Sequence, residues 1–224
     1  LAEHAQLDAK IIAQRMMGYT DKTMRPEPMR YRALIARDDA GAVAAHPFPF
    51  FLAHPLQIPL AEFERELGTP DHWQIEWKYD GIRAQLVRRD GRSWLWSRGE
   101  ELIDEAFPDV IDAFAGLDDG TVLDGEIVIW REDRPAPFAQ LQRRIARKRL
   151  TAKLLQDVPA RLIAFDLIEF GGADWRGRPQ HERRAALEAL AVRHGSPWLL
   201  WSRARLGTSS HACAASPGRV PSRG

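Results

Sequence analysis

The stretch Glu76-Trp77-Lys78-Tyr79-Asp80-Gly81-Ile82-Arg83 brings an amine and a guanidinium close together in the chain. Its spacing predicts Lys78 at the end of a strand, a tight turn at Asp80-Gly81, and Arg83 on the returning strand. Such a pair suits attack on a phosphate: the amine is the nucleophile and the cation meets the anionic oxygens. An amine attacks only when deprotonated, and the ordinary lysine pKa is about 10.4, so desolvation or a neighbouring cation must lower it. Arg83 and a bound metal ion could supply that field. The plainer alternative is a surface lysine beside an ordinary hairpin.

Other segments carry groups of the same kind. Ser97-Arg98-Gly99 places a forked cation after an apolar strand; on its own Arg98 could be a solvated strand-end arginine. Leu123-Asp124-Gly125-Glu126 closes an apolar run with carboxylates, and Glu126 alone could form a strand-end salt bridge. In Ala164-Phe165-Asp166-Leu167 the aromatic reads most simply as core packing. Arg143-Arg144-Ile145-Ala146-Arg147-Lys148-Arg149 is dense enough in positive charge to neutralise several phosphates, and equally fits a solvated helix face. The seven histidines have no metal-ligand spacing, so no zinc site is expected.

Taken in order, these segments resemble the motifs of the covalent nucleotidyltransferases, the superfamily of ATP-dependent DNA ligases, RNA ligases and mRNA capping enzymes. The Lys78 stretch looks like motif I, Ser97-Arg98-Gly99 like motif Ia, Leu123 to Glu126 like motif III and Ala164 to Leu167 like motif IIIa. Phe50-Phe51-Leu52-Ala53-His54-Pro55-Leu56 and Trp96-Ser97-Arg98-Gly99-Glu100-Glu101-Leu102-Ile103 are similar to the bacterial multidomain ATP-dependent DNA ligases. The resemblance implies Lys78 as the residue that accepts AMP from ATP, and nicked double-stranded DNA as the partner. It places Arg83 among the nucleotide-binding residues and assigns Arg98 to the nucleotide's sugar and phosphate region. Glu126 would serve the ribose hydroxyl or Mg²⁺, Phe165 would lie against adenine, and Glu76 would sit beside the base and help select it. Arg143, Arg144, Arg147 and Lys148 are candidate DNA contacts. The implied setting is DNA replication, repair and recombination by a monomer. An RNA ligase or capping-type enzyme, and a catalytically dead nucleotide- or DNA-binding remnant, stay open as alternatives.

The elements that must position these groups follow from hydrophobic period. Residues 2–17 and 27–35 have helical spacing, with Gly18 placed to stop the first. Residues 46–59, broken by Pro47, Pro49, Pro55 and Pro59, read as a linker. Beyond it Trp73, Ile75 and Trp77 alternate with polar residues, residues 82–87 continue the pattern, and Asp90-Gly91 marks a hairpin before Trp94-Leu95-Trp96. This predicts an antiparallel pair around Lys78. Further strands are expected at 122–130 and 162–170, and helices at 105–114, 138–145 and 179–192. The expected class is α+β: an adenylation domain of antiparallel sheets with flanking helices, preceded by a helical remnant of a DNA-binding domain.

The expected divisions are therefore residues 1–45 helical, 46–59 linker, 60–206 an incomplete adenylation domain, and 207–224 a disordered tail. The last segment is rich in Gly, Ser, Ala, Arg and Pro without a hydrophobic period. The family's motifs IV and V are not recognisable after Ser202, which suggests a truncated ligase, and the start at Leu1 reads as a cut end. With 224 residues and 45% hydrophobic content the chain can bury one core, or one and part of a second. No apolar run reaches the length of a membrane span. Cys213 is the only cysteine, which excludes an intrachain disulfide and fits a reducing, cytoplasmic setting. Lys plus Arg total 32 against 31 Asp plus Glu, a net charge of +1, so any nucleic-acid surface must come from local clustering.

Overall fold

The computed structural model describes residues 1–16, 27–36, 45–69, 73–147, 150–196, 199–202 and 205–206. At the start, α1 (Ala2–Ala5) and α2 (Ala9–Arg15) replace the single helix expected over 2–17. The break has a local cause: Gln6 adopts a left-handed φ of 55°, which ends α1. Met17 and Gly18 lie outside the described residues. The second expected helix is α3 (Pro28–Ile35), with Pro28 in its first turn, where the missing N–H costs nothing. Arg15 joins α2 to α3 by donating to the carbonyls of Leu34 at 3.2 Å and Ala36 at 2.5 Å, satisfying acceptors at the end of α3.

A 3-10 turn (Leu60–Glu62) leads into α4 (Phe63–Leu67), and β1 (Gln74–Ile75) follows. The next strands, β2 (Ile82–Arg89) and β3 (Arg92–Ser97), form the expected hairpin. Asp90 and Gly91 both have positive φ, 49° and 70°, as a two-residue turn matched to strand twist requires. Then come α5 (Pro108–Ala113), β4 (Thr121–Arg131), β5 (Arg134–Pro135), α6 (Phe138–Ile145), α7 (Ala152–Asp157), β6 (Ala160–Phe170), β7 (Ala173–Asp174) and α8 (Gln180–His194). The described chain closes with β8 (Leu199–Trp201) and β9 (Arg205–Leu206). The main sheet runs β3-β2-β4-β6-β7 with antiparallel neighbours; β5 adds to β4, and β8 lies parallel to β6. The architecture is the α+β arrangement expected.

Strand alternation divides this sheet into two faces. Ile82, Ala84 and Leu86 of β2 join Leu123, Ile127 and Ile129 of β4 and Ala160, Leu162 and Ala164 of β6 in the principal core. Val110 of α5, Leu141 of α6 and Leu187, Leu190 and Ala191 of α8 complete it. Burying a Leu- or Ile-sized side chain contributes about 1.5–3 kcal/mol, so this layer dominates the stability of the sheet. On the opposite face a smaller cluster joins Phe48, Val87, Trp96, Val122 and Ile168.

That smaller cluster revises the expected linker. Residues 46–59 contain neither helix nor strand, but their first part is docked on the sheet. Phe48 N–H donates to Gln85 Oε1 at 2.9 Å, Arg89 donates to the His46 carbonyl at 2.9 Å, and Trp96 Nε1 donates to the Ala45 carbonyl at 2.6 Å. The prolines that exclude helix leave an extended strap whose backbone groups are satisfied by sheet side chains.

Candidate active site

Beyond the strap the same sheet face changes character: Arg83 of β2 and Asp124 and Glu126 of β4 replace the apolar residues. The β2–β4 register sets Arg83 opposite Glu126 and Ile82 opposite Ile127. Arg83 grips Asp124 with both arms of its fork, Nε to Oδ1 at 2.7 Å and Nη2 to Oδ2 at 2.9 Å. Asp124 is buried while Arg83 keeps partial exposure. Burial pushes the Asp124 carboxyl up, against the pull of its hydrogen bonds and charge interaction with Arg83. The Arg83 guanidinium carbon also lies 4.4 Å from the centroid of the Phe165 ring, within cation–π range.

Two glycines make this crowding possible. A Cβ on Gly81 would lie 2.1 Å from the Ile127 carbonyl oxygen and 2.9 Å from Glu126 Cγ. Gly81 is therefore needed for close backbone approach. The expected hairpin turn at Asp80-Gly81 is not formed: β1 pairs with β9 instead of β2, and Lys78 lies in the irregular connection from β1 to β2. At Gly125 a Cβ would meet the Ile163 carbonyl at 2.6 Å, and the β4–β6 register shifts between Asp124 and Gly125. The extra residue of this bulge is Phe165 on β6, while Asp124 and Glu126 keep the regular two-residue alternation of β4.

Glu126 accepts a hydrogen bond from Gly81 N–H at 3.2 Å, so the strand holds the end of the Lys78 connection directly. Burial raises the Glu126 carboxyl from 4.5 to about 6, opposed by Arg83, the Gly81 hydrogen bond and Lys78. Lys78 precedes Gly81 by three residues on the connection that Glu126 holds, and its side chain is solvent-exposed. Asp124 lies at contact distance from Arg83 and offsets part of its charge.

Arg98 is exposed, and its backbone N–H donates to the Arg83 carbonyl at 3.0 Å. Its loop is held by Ser97 N–H to the Glu101 carbonyl at 2.9 Å and by Glu101 N–H to Ser97 Oγ at 3.3 Å. Glu76 is half-buried and paired with Arg184 of α8, Oε1 to Nη1 at 2.7 Å. Burial raises its carboxyl, while Arg184 opposes that shift. Asp166, next to Phe165, is gripped by Arg183 at 2.8 Å and 3.0 Å.

The basic stretch separates into unlike residues. Arg143 and Arg147 are exposed, whereas Lys148 lies outside the described residues. Arg144 is a correction: its side chain is fully buried, paired with Asp109 and donating to the carbonyls of Ala106 at 2.6 Å and Val158 at 3.1 Å. It braces the core and cannot meet DNA. Its helical spacing from buried Leu141 was the available signal. Sequence reading also gave no role to Asp124, Asp166, Arg183 or Arg184. The first two stood inside recognised motifs, while the two arginines depend on contacts distant in sequence.

The model of the ATP dependent DNA ligase domain matches residues 51–212. A probable DNA ligase of Koribacter versatilis is 35% identical over 158 residues, covering 69% of this chain and 26% of that protein. A probable DNA ligase of Opitutus terrae is 40% identical over 124 residues, with coverages of 55% and 12%. A DNA ligase of Natronomonas pharaonis is 35% identical over 188 residues, covering 77% of this chain and 34% of that protein. The chain thus spans about a third or less of these relatives. Among solved structures, mycobacterial DNA ligase D complexed with ATP and MES has 27% identity and a TM-score of 0.45, covering 57% of this chain and 38% of that one. On the extent of the family match, this chain belongs to the ATP-dependent DNA ligase domain family.

Proposed function

We propose that this chain carries the adenylation step of DNA ligation, with Lys78 as the amine that receives AMP from ATP and nicked duplex DNA as the eventual acceptor. The reading rests chiefly on one observation: Gly81, Arg83 and Glu126 are tied together across β2 and β4, Gly81 lying three residues after an exposed Lys78. In this reading Lys78 Nζ, once deprotonated, attacks the α-phosphorus. The N–P bond forms as the bond to the bridging oxygen breaks, and pyrophosphate leaves. AMP then passes to the 5′ phosphate of a nick, and the 3′ hydroxyl displaces it to seal the strand.

The protein's part is orientation and charge compensation. Arg83, fixed by Asp124, offers its remaining N–H donors to phosphoryl oxygen, and exposed Arg98 adds a second fork. Phe165 offers an aromatic surface to adenine, while Glu76 faces the base edge. Among the described residues no three His, Cys, Asp or Glu side chains gather into a metal cage. Glu126 alone still fits Mg²⁺, which commonly binds through one or two carboxylates, water and substrate phosphate. Glu126 would hold the ion, which when bound would neutralise developing phosphoryl charge. Arg143 and Arg147 are the members of the basic stretch proposed to meet DNA phosphate.

Incubation with α-labelled ATP and Mg²⁺, followed by addition of a nicked duplex, tests the proposal. Labelled protein that transfers its AMP to the 5′ end supports it. Labelling by GTP but not ATP assigns capping-type chemistry, and DNA binding without covalent AMP assigns a catalytically inactive remnant.

A further inference from the structure

We infer that Arg184 is a positioning residue for base selection, holding Glu76 as an ionised, acceptor-only carboxylate. This deepens the proposed function, on which it rests. Arg184 lies on α8, 108 residues from Glu76 in sequence, and its side chain is only 7% exposed. One arm bonds Glu76 Oε1 at 2.7 Å; its Nε bonds Glu188 Oε1 on the next turn, also at 2.7 Å. The first contact holds the carboxylate, while the second, to the more exposed Glu188, orients the guanidinium through an acceptor oxygen that a glutamine also carries.

The chemistry of the base edge makes that consequential. Adenine presents an amino donor where guanine presents a carbonyl acceptor. An ionised carboxylate can only accept, so it bonds the adenine amino group and repels the guanine oxygen. A protonated carboxyl can donate and accommodates guanine as well. Glu76 is half-buried, an environment favouring protonation, and Arg184 provides the opposing positive charge. Burial, with the Asp166 charge, still holds the Glu76 carboxyl above its ordinary value, and Arg184 limits that rise and so favours the acceptor form. Arg183, the preceding residue, grips Asp166 with two donors, so the first turns of α8 hold both Glu76 and the carboxylate next to Phe165.

Equilibrium binding of ATP and GTP, measured by calorimetry from pH 5.5 to 8, tests the inference without requiring catalysis. Wild type is expected to prefer ATP across this range. Arg184→Met is expected to lose about tenfold or more of that preference, with a larger loss at the acid end. Arg184→Lys should recover part of it, and Glu188→Gln, which leaves the Glu76 contact intact, should keep most of it. Folded Arg184→Met with wild-type preference and pH dependence overturns the inference, as does an equal loss in Glu188→Gln. Should Arg184→Met fail to fold, Arg184→Lys carries the test: unchanged selectivity at every pH overturns it. Absence of nucleotide binding in wild type overturns the proposed function together with the inference, whereas selective binding without covalent labelling overturns only the adenylation reading.

Discussion

Arg83 and Arg89 stand on the same face of β2, and each grips a carboxylate with both arms while lying near an aromatic ring. Arg89 bonds Glu169 at 3.0 Å and 2.6 Å, with Phe48 at 5.6 Å; Arg83 bonds Asp124 at 2.7 Å and 2.9 Å, with Phe165 at 4.4 Å. Their surroundings differ. Arg89 also donates to the His46 carbonyl beneath the strap, and burial followed by the Arg89 charge holds His46 below its ordinary pKa. Arg83 stays partly exposed beside Glu126 and the Lys78 connection. The same local device is a brace where the chain covers it and a candidate phosphate-binding group where the sheet remains open.

Glu169→Gln should produce the largest stability loss, because removing one partner of a buried pair leaves the other charge uncompensated. A cost of about 3–5 kcal/mol is expected in urea unfolding, with labelling per folded molecule retained. Arg83→Met should lower labelling per folded molecule about 100-fold, and because it strands the buried Asp124 carboxylate it should lower the unfolding midpoint as well. Equal effects of the two substitutions on both measurements would erase the distinction.

Glu126 sharpens the comparison through pH. Its folded pKa of about 6 exceeds the reference 4.5, so the folded protein retains this proton where the unfolded chain has lost it. The resulting stability is full below pH 4.5 and is lost as pH rises through 6, amounting to about 1 kcal/mol once the pKa difference is discounted for solvent screening. Glu126→Gln should remove this slope in unfolding measured from pH 4 to 7; an unchanged slope would assign it elsewhere. The smallest effects belong to Arg143→Gln and Arg147→Gln. Each should lower the salt dependence of duplex binding by about one unit of slope without changing the unfolding midpoint.

The β2–β3 hairpin was legible because Asp90-Gly91 and strict alternation carry their own geometry. The backbone setting of Lys78 was not legible: Trp73, Ile75 and Trp77 mimic a long buried-face strand, yet all three are exposed and only Gln74–Ile75 is strand. Gly81 was correctly marked as special for the wrong physical reason, since a clash with β4 is invisible in a local Asp-Gly pair. Arg144 stood among exposed cations, and charge density concealed its inward helical position. Arg184 required knowledge of which helix crosses which strand.

Mass spectrometry of the peptide holding Lys78, after incubation with ATP and Mg²⁺, tests the central claim most directly. AMP is expected on Lys78, with no adduct in Lys78→Ala and a markedly reduced one in Arg83→Met. AMP on another residue, or folded ATP-bound protein that never acquires an adduct, would contradict the assignment.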